Sequence, residues 1–141
     1  MNMMEMVLAM FAIVLFTTLS LTYNQAIWIQ TDYLNNATLV VQASQICHSI
    51  LDEADAKLFS KQLDFSDLVS EYNFAKSITY PHLPITLNVQ SVAINCDEFG
   101  DPLEVDDPLS IWKKVTVTVS GHGYLQRPYV MQRIYVETSF R

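Results

Sequence analysis

Met1-Asn-Met-Met-Glu-Met-Val-Leu-Ala-Met-Phe-Ala-Ile-Val-Leu-Phe16 is the stretch that decides the fold, because it predicts an apolar helix with a carboxylate, Glu5, at its start. Glu5 is the only charged side chain in residues 1–31. A carboxylate at mid-bilayer depth costs about 2.5–3.5 kcal/mol, and less near the interface. No Lys or Arg precedes Lys57, so the N-terminal amine is the only local cation. The pattern therefore predicts that Glu5 pairs with another copy of the chain.

Length and composition limit the chain to one domain, or to one domain plus a membrane or assembly segment, since it has 141 residues. Hydrophobic residues make up 50%, and their excess lies in residues 1–29. The remainder, about 110 residues, can bury one modest core. The net charge is −7, from 15 acidic and 8 basic residues, which argues against nucleic-acid binding through a general positive field.

The first residues lack the positive charge with which a secretory signal normally begins. We therefore expect that a basic leader has been removed ahead of Met1. Cys47 and Cys96 fit an exported protein with one disulfide, and two buried free thiols are the alternative. Asn36-Ala37-Thr38 matches the glycosylation sequon, although matches this short also arise by chance.

The first half of the chain predicts one long helix, because no proline precedes Pro81 and no glycine precedes Gly100. Residues 1–25 form an apolar half that is long enough to span a bilayer or to be buried inside a helix bundle. Residues 26–54 form an amphipathic half and belong to the globular part, 26–141. Its apolar face follows two neighbouring stripes, which are Ile27, Leu34, Ala37, Val41, Ser44, His48 and Leu51, and Ile29, Tyr33, Val40, Ala43, Cys47 and Ile50.

The second half predicts a sheet. Residues 55–83 indicate a connecting region with short helical turns, and residues 84–141 alternate with a period of two. They predict three antiparallel strands, with a fourth as the alternative. The amphipathic half of the helix is the only large element able to cover the sheet, which would bring Cys47 and Cys96 within bridging distance. The expected fold is α+β, with a long protruding N-terminal helix packed on a small C-terminal antiparallel sheet.

Glu5 at the head of an apolar N-terminal helix, followed by a C-terminal antiparallel sheet, resembles the type IV pilin and pseudopilin superfamily. The resemblance is specific over about the first 25 residues. It implies a pilin-like fold, cleavage before Met1 by a prepilin peptidase, methylation of the new N-terminus, and passage through the inner membrane before the assembly machinery adds the chain to an extracellular homopolymer. It also implies that Glu5 pairs with the amine of Met1 on a neighbouring subunit. Thr22 stands near the position where many members carry a helix-bending proline, which favours a continuous helix here.

Three functions are consistent with these features. The first is a structural subunit of a type IV pilus-like filament, the second a minor pilin or secretion-system pseudopilin, and the third a membrane-anchored exported binding domain that never polymerises. Adhesion and motility both use such filaments, and the sequence does not choose between them. No nucleophile elbow, phosphate-binding loop or dinucleotide fingerprint occurs, so we expect no enzyme.

The segment from Asp97 to Asp107 contains six of the chain's 15 acidic residues. Oxygen ligands in a loop suit Ca²⁺, so Asp97, Asp101, Asp106 and Asp107 are candidate calcium ligands. A solvated acidic loop without metal is the alternative. The three histidines show no metal-ligand spacing, and no other cofactor is expected.

Overall fold

The computed structural model of the protein describes residues 2–80, 85–103, 110–121, 123 and 125–137. A long helix precedes a four-stranded antiparallel sheet and packs against it, which confirms the α+β fold. The elements in chain order are α1 (Met3–Phe59), a 3₁₀ turn (Phe65–Asp67), α2 (Leu68–Glu71), β1 (Phe74–Thr79), β2 (Thr86–Asn95), β3 (Trp112–Gly121) and β4 (Tyr129–Val136).

The helix α1 is continuous through residue 22, as the absence of proline predicts. Its hydroxyl residues bond to their own helix: Thr18 Oγ1 donates to the carbonyl of Val14 at 2.7 Å, and Thr22 Oγ1 to that of Thr18 at 2.8 Å. These bonds satisfy the hydroxyls without breaking the backbone ladder. The helix also runs past the predicted end at residue 54 and stops at Phe59.

A left-handed residue terminates α1. Lys61 has φ 54°, and the N–H of Gln62 donates to the carbonyl of Lys57 at 3.0 Å. The N–H of Lys61 donates to the carbonyl of Leu58 at 3.2 Å. This pair of bonds is the Schellman arrangement, which normally has glycine at the left-handed position. The sequence does not predict that α1 ends here, because Lys and not Gly occupies the left-handed position.

The sheet is a simple meander in the order β1-β2-β3-β4, with every neighbouring pair antiparallel. Val89 lies opposite Val119, and Val117 lies opposite Met131. The period-two pattern of the sequence therefore places one face of each strand on the core. The prediction that residues 55–83 are a connecting region with short helical turns was wrong in one respect. This segment contains β1, which pairs with β2 from Phe74 to Thr79.

The core forms between the sheet and one stripe of α1. The stripe follows the 3.6-residue helical period and consists of Leu39, Ala43, Cys47, Leu51, Ala54 and Leu58. The first stripe predicted from the sequence was therefore largely wrong, since Val41 is 57% exposed and His48 is exposed. The buried line instead follows the second predicted stripe, which contains Ala43 and Cys47. Hydrogen bonds also join β4 to the helix: Tyr135 Oη donates to the carbonyl of Leu51 at 3.2 Å, and the guanidinium of Arg133 contacts Asp52 and Asp55.

The chain divides into two compact units, Met1–Ala37 and Thr38–Arg141. The sequence places the boundary between residues 25 and 26, which is earlier. Residues 26–37 belong to the first unit because their side chains are exposed or, for Asn36, half-buried. Among the residues that the structure describes, the first buried side chain is Leu39, within the second unit.

Candidate assembly surface

The first unit presents a largely apolar surface at its N-terminal end. Residues 3–23 are all exposed, with Met3 at 82% and Phe16 at 77%. At 1.5 Å per residue this segment is about 31 Å long, which matches the hydrocarbon thickness of a bilayer. Within the described residues, α1 is the one helix long and apolar enough to cross a membrane, and its most apolar 18-residue window has a mean hydropathy of 2.1. The same surface suits packing against other apolar helices.

A shallow groove runs along this surface. Its lining residues repeat at intervals of three and four, as the ridges and grooves of a helix do, and its volume is about 350 Å³. The hydroxyls of Thr18 and Thr22 already bond to the backbone, so a packed neighbour need not satisfy them. The groove is lined by Phe11, Val14, Leu15, Thr18, Leu19 and Thr22.

Glu5 occupies the third position of α1 and has a local partner that sequence reasoning missed. Its carboxylate oxygen Oε2 accepts a hydrogen bond from the backbone N–H of Asn2 at 3.1 Å. The carbonyl of Asn2 in turn accepts the N–H of Glu5 at 2.9 Å. Glu at this position reaching back to the residue before the helix is half of a capping box, and its charge also complements the positive end of the helix dipole. Met1, the other predicted assembly residue, lies outside the described residues.

The predicted disulfide is not formed: Cys47 and Cys96 are both free thiols, and both are buried. Cys47 lies on the helix side of the sheet, where its Sγ is 3.8 Å from the carbonyl oxygen of Val117. Val117 pairs with Ser91, whereas Cys96 lies five positions further along, or about 16 Å at 3.3 Å per residue.

Cys96 also falls on the other face of the sheet. The β2–β3 pairing extends to its N–H, which donates to the carbonyl of Trp112 at 3.1 Å, so side-chain alternation puts Cys96 with Ile94 rather than with the core residue Ala93. A disulfide needs Cα atoms within about 7 Å, which this geometry does not provide. Burial raises the pKa of the Cys47 thiol and of the Cys96 thiol, so both favour the neutral form.

The acidic segment is partly a structured turn. Asp97 Oδ1 accepts the N–H of Phe99 at 2.9 Å and the N–H of Asp101 at 2.8 Å. This carboxylate therefore serves the backbone of its own loop. Two predicted calcium ligands, Asp106 and Asp107, lie outside the described residues. Among the residues that are described, no group of three or more His, Cys, Asp or Glu side chains could hold a metal ion.

The sequon Asn36 lies on α1 and is half-buried. Nothing in the structure bears on its glycosylation, which stays a prediction. His48 is exposed on α1, while the other two histidines lie outside the described residues.

A second feature of the globular unit was not predicted. A groove of about 450 Å³ lies between α1 and the edge strand β1, and we call it the edge groove. Sequence reasoning missed it because residues 55–83 were assigned to a connection; the available signal was the alternation of Phe74, Ile78 and Tyr80. The groove is lined by Gln42, Gln45, Ile46, Ser49, Ile50 and Glu53 from the helix and by Phe74, Lys76, Ile78 and Tyr80 from the strand and its end.

Comparisons with protein-family models, with curated proteins and with solved structures gave no match to this chain. Its function must therefore be argued from its own surfaces.

Proposed function

We propose that this protein is a structural subunit of an extracellular type IV pilus-like filament, held in the inner membrane before assembly. The observation that carries the proposal is the exposed apolar surface of residues 3–23 with Glu5 at its head. Burying one Leu or Phe side chain stabilises by about 1.5–3 kcal/mol, so a surface of this size must be covered. A bilayer covers it first, and the helices of neighbouring subunits cover it in the filament.

Glu5 sets the register of these helices in the proposed assembly. Its hydrogen bond to Asn2 satisfies one lone pair but leaves the negative charge in place. In an apolar surrounding that charge needs a cation, and the amine of Met1 on a neighbouring subunit supplies it. Minor pilins and pseudopilins share this chemistry, and abundance in the surface fraction distinguishes them from a major subunit.

The proposal is tested by comparing Glu5→Ala with Glu5→Gln in cells that make equal amounts of the protein. Gln keeps the hydrogen bond of the capping box but removes the charge. Charge pairing predicts that both variants lose filaments from the sheared surface fraction. Normal filaments with Glu5→Gln and none with Glu5→Ala would assign Glu5 to capping alone. Mass spectrometry should find that the mature chain begins at Met1 after cleavage and that its N-terminal amine is methylated.

A second candidate is a membrane-anchored exported domain that does not polymerise. The observation that favours it is the bond from Asn2 to Glu5, since Glu5 then needs no neighbour to satisfy that oxygen. This candidate predicts an unmethylated N-terminus and no chain in sheared filaments. It also predicts that Glu5→Ala remains in the membrane fraction at the wild-type level.

A further inference from the structure

The edge groove combines an apolar floor with one uncompensated positive charge. Ile46, Ile50, Phe74 and Ile78 are only partly buried against the core and remain accessible from the groove. Lys76 is exposed between Phe74 and Ile78 and makes no ion pair with any residue in the described part of the chain. A cavity of this size with an apolar floor and an unpaired lysine is suited to an apolar side chain next to an acid.

The other polar groups of the groove do not neutralise Lys76. Glu53 is bound to Lys57, with the carboxylate oxygen 2.8 Å from Nζ. The amide oxygen of Gln42 is buried and has no hydrogen-bond donor within the described residues.

The same chain carries a matching projection at the turn after β2. Phe99 is 78% exposed, and Glu98 beside it is exposed and makes no ion pair with the described residues. The turn is held rigid: the N–H of Gly100 donates to the carbonyl of Asp97 at 3.1 Å, and the Asp97 carboxylate accepts the N–H of Phe99. A preordered projection loses little conformational entropy when it binds.

The fixed shape of this turn depends on Gly100. Its φ is +87°, and a Cβ there would lie 2.8 Å from Cδ1 of Ile134. The carbonyl of Gly100 also accepts a hydrogen bond from Nζ of Lys114. The turn is thus packed on the sheet while Phe99 stays in solvent.

We propose that the Phe99 projection of one copy of the chain docks into the edge groove of a second copy, with Glu98 paired to Lys76. Phe99 contacts the apolar floor, and opposite charges meet at its side. The two surfaces differ, so the contact is heterologous and propagates from copy to copy instead of closing a dimer. One aromatic anchor and one ion pair are small beside the roughly 1,600 Å² of a standard interface. The contact therefore rests on the proposed function, in which the apolar helices already hold the copies together.

Cysteine cross-linking in the full chain tests this docking. Lys76→Cys and Glu98→Cys are combined in one chain and oxidised, both in membranes and in the sheared surface fraction. The native cysteines are buried and do not compete. We expect a ladder of covalent multimers from the double variant and none from either single variant. Lys61→Cys with Glu98→Cys is the matched control, since Lys61 is exposed but lies outside the groove.

A charge exchange tests the ion pair separately. Lys76→Glu places like charges together and should lower the filament yield about two- to five-fold, in the range of an exposed ion pair. Glu98→Lys should do the same, and the two changes together should restore the yield. A double variant that stays as low as the single ones would overturn the pairing.

The outcomes separate this inference from the proposed function. Wild-type filaments without a cross-linked ladder would overturn the docking and leave the filament proposal intact. Absence of wild-type filaments would overturn the filament proposal, and multimers cross-linked in membranes would then still support the docking. The docking is overturned if cross-links are absent from both fractions, or if position 76 cross-links to a different protein.

Discussion

Lys61 ends the long helix in a conformation that suits glycine better. A left-handed L-residue costs about 1–2 kcal/mol, whereas the extra chain entropy of glycine costs about 0.5–1 kcal/mol. Lys61→Gly should therefore raise the free energy of unfolding by about 0.5 kcal/mol, measured by urea denaturation of the full chain in detergent. Lys61→Ala keeps the left-handed strain and should not stabilise. A loss of stability in the glycine variant would mean that the lysine side chain contributes at this position.

Cys47 should make the free energy of unfolding decrease at alkaline pH. Burial raises the pKa of its thiol in the folded chain, so the stability present below the unfolded value, about 8.5, is lost as the pH rises toward the folded value. Burial also raises the pKa of Tyr135, which adds to the loss above about pH 10. We expect the free energy of unfolding to fall between pH 8 and pH 10.5. Cys47→Ala should show a smaller fall, and an unchanged fall would exclude Cys47 as a source.

At the scale of elements, α1 belongs to both units but is stabilised differently in each. From Leu39 onward its buried side chains pack on the sheet, whereas residues 3–23 are exposed and are stabilised by the helix's own backbone bonds and by hydroxyl bonds such as that of Thr22. A substitution that disrupts α1 within residues 3–23 should therefore leave the fold of the globular unit intact.

Thr22→Pro tests this difference. Proline removes the N–H that bonds to Thr18 and clashes with the preceding turn, which costs about 3 kcal/mol in a helix interior. Hydrogen exchange should become faster around residues 17–23 in detergent, while the melting temperature of the globular unit should stay unchanged. Thr22→Ala removes only the hydroxyl bond and serves as the control. A lowered melting temperature in the proline variant would show that the two parts unfold together.

At the scale of the whole molecule, the buried core lies entirely after residue 38 in the described chain. A chain that begins at Thr38 keeps every residue of the core cluster, from Ala43 to Tyr135, and loses the exposed apolar surface. We expect it to be soluble, folded and monomeric, as measured by circular dichroism and size-exclusion chromatography. Unfolding or aggregation would show that residues before Thr38 stabilise the globular unit.

The sequence by itself determined the fold class. Residues 1–23 predict an apolar helix and the strands β2, β3 and β4 show period two, because both patterns are local and each follows from how side chains repeat along its element. The position of Glu5 at the head of the helix also follows from the sequence alone, and it directs the functional proposal.

The tertiary structure decided what depends on contacts distant along the chain. It selected the helix stripe through Leu39 and Leu58, added β1 at the edge, and placed Cys47 and Cys96 on opposite faces of the sheet. Each of these depends on which face of the sheet the helix covers and where the sheet ends. Local periodicity carries no information about either, so the edge groove and its match to Phe99 became visible only once the elements were packed.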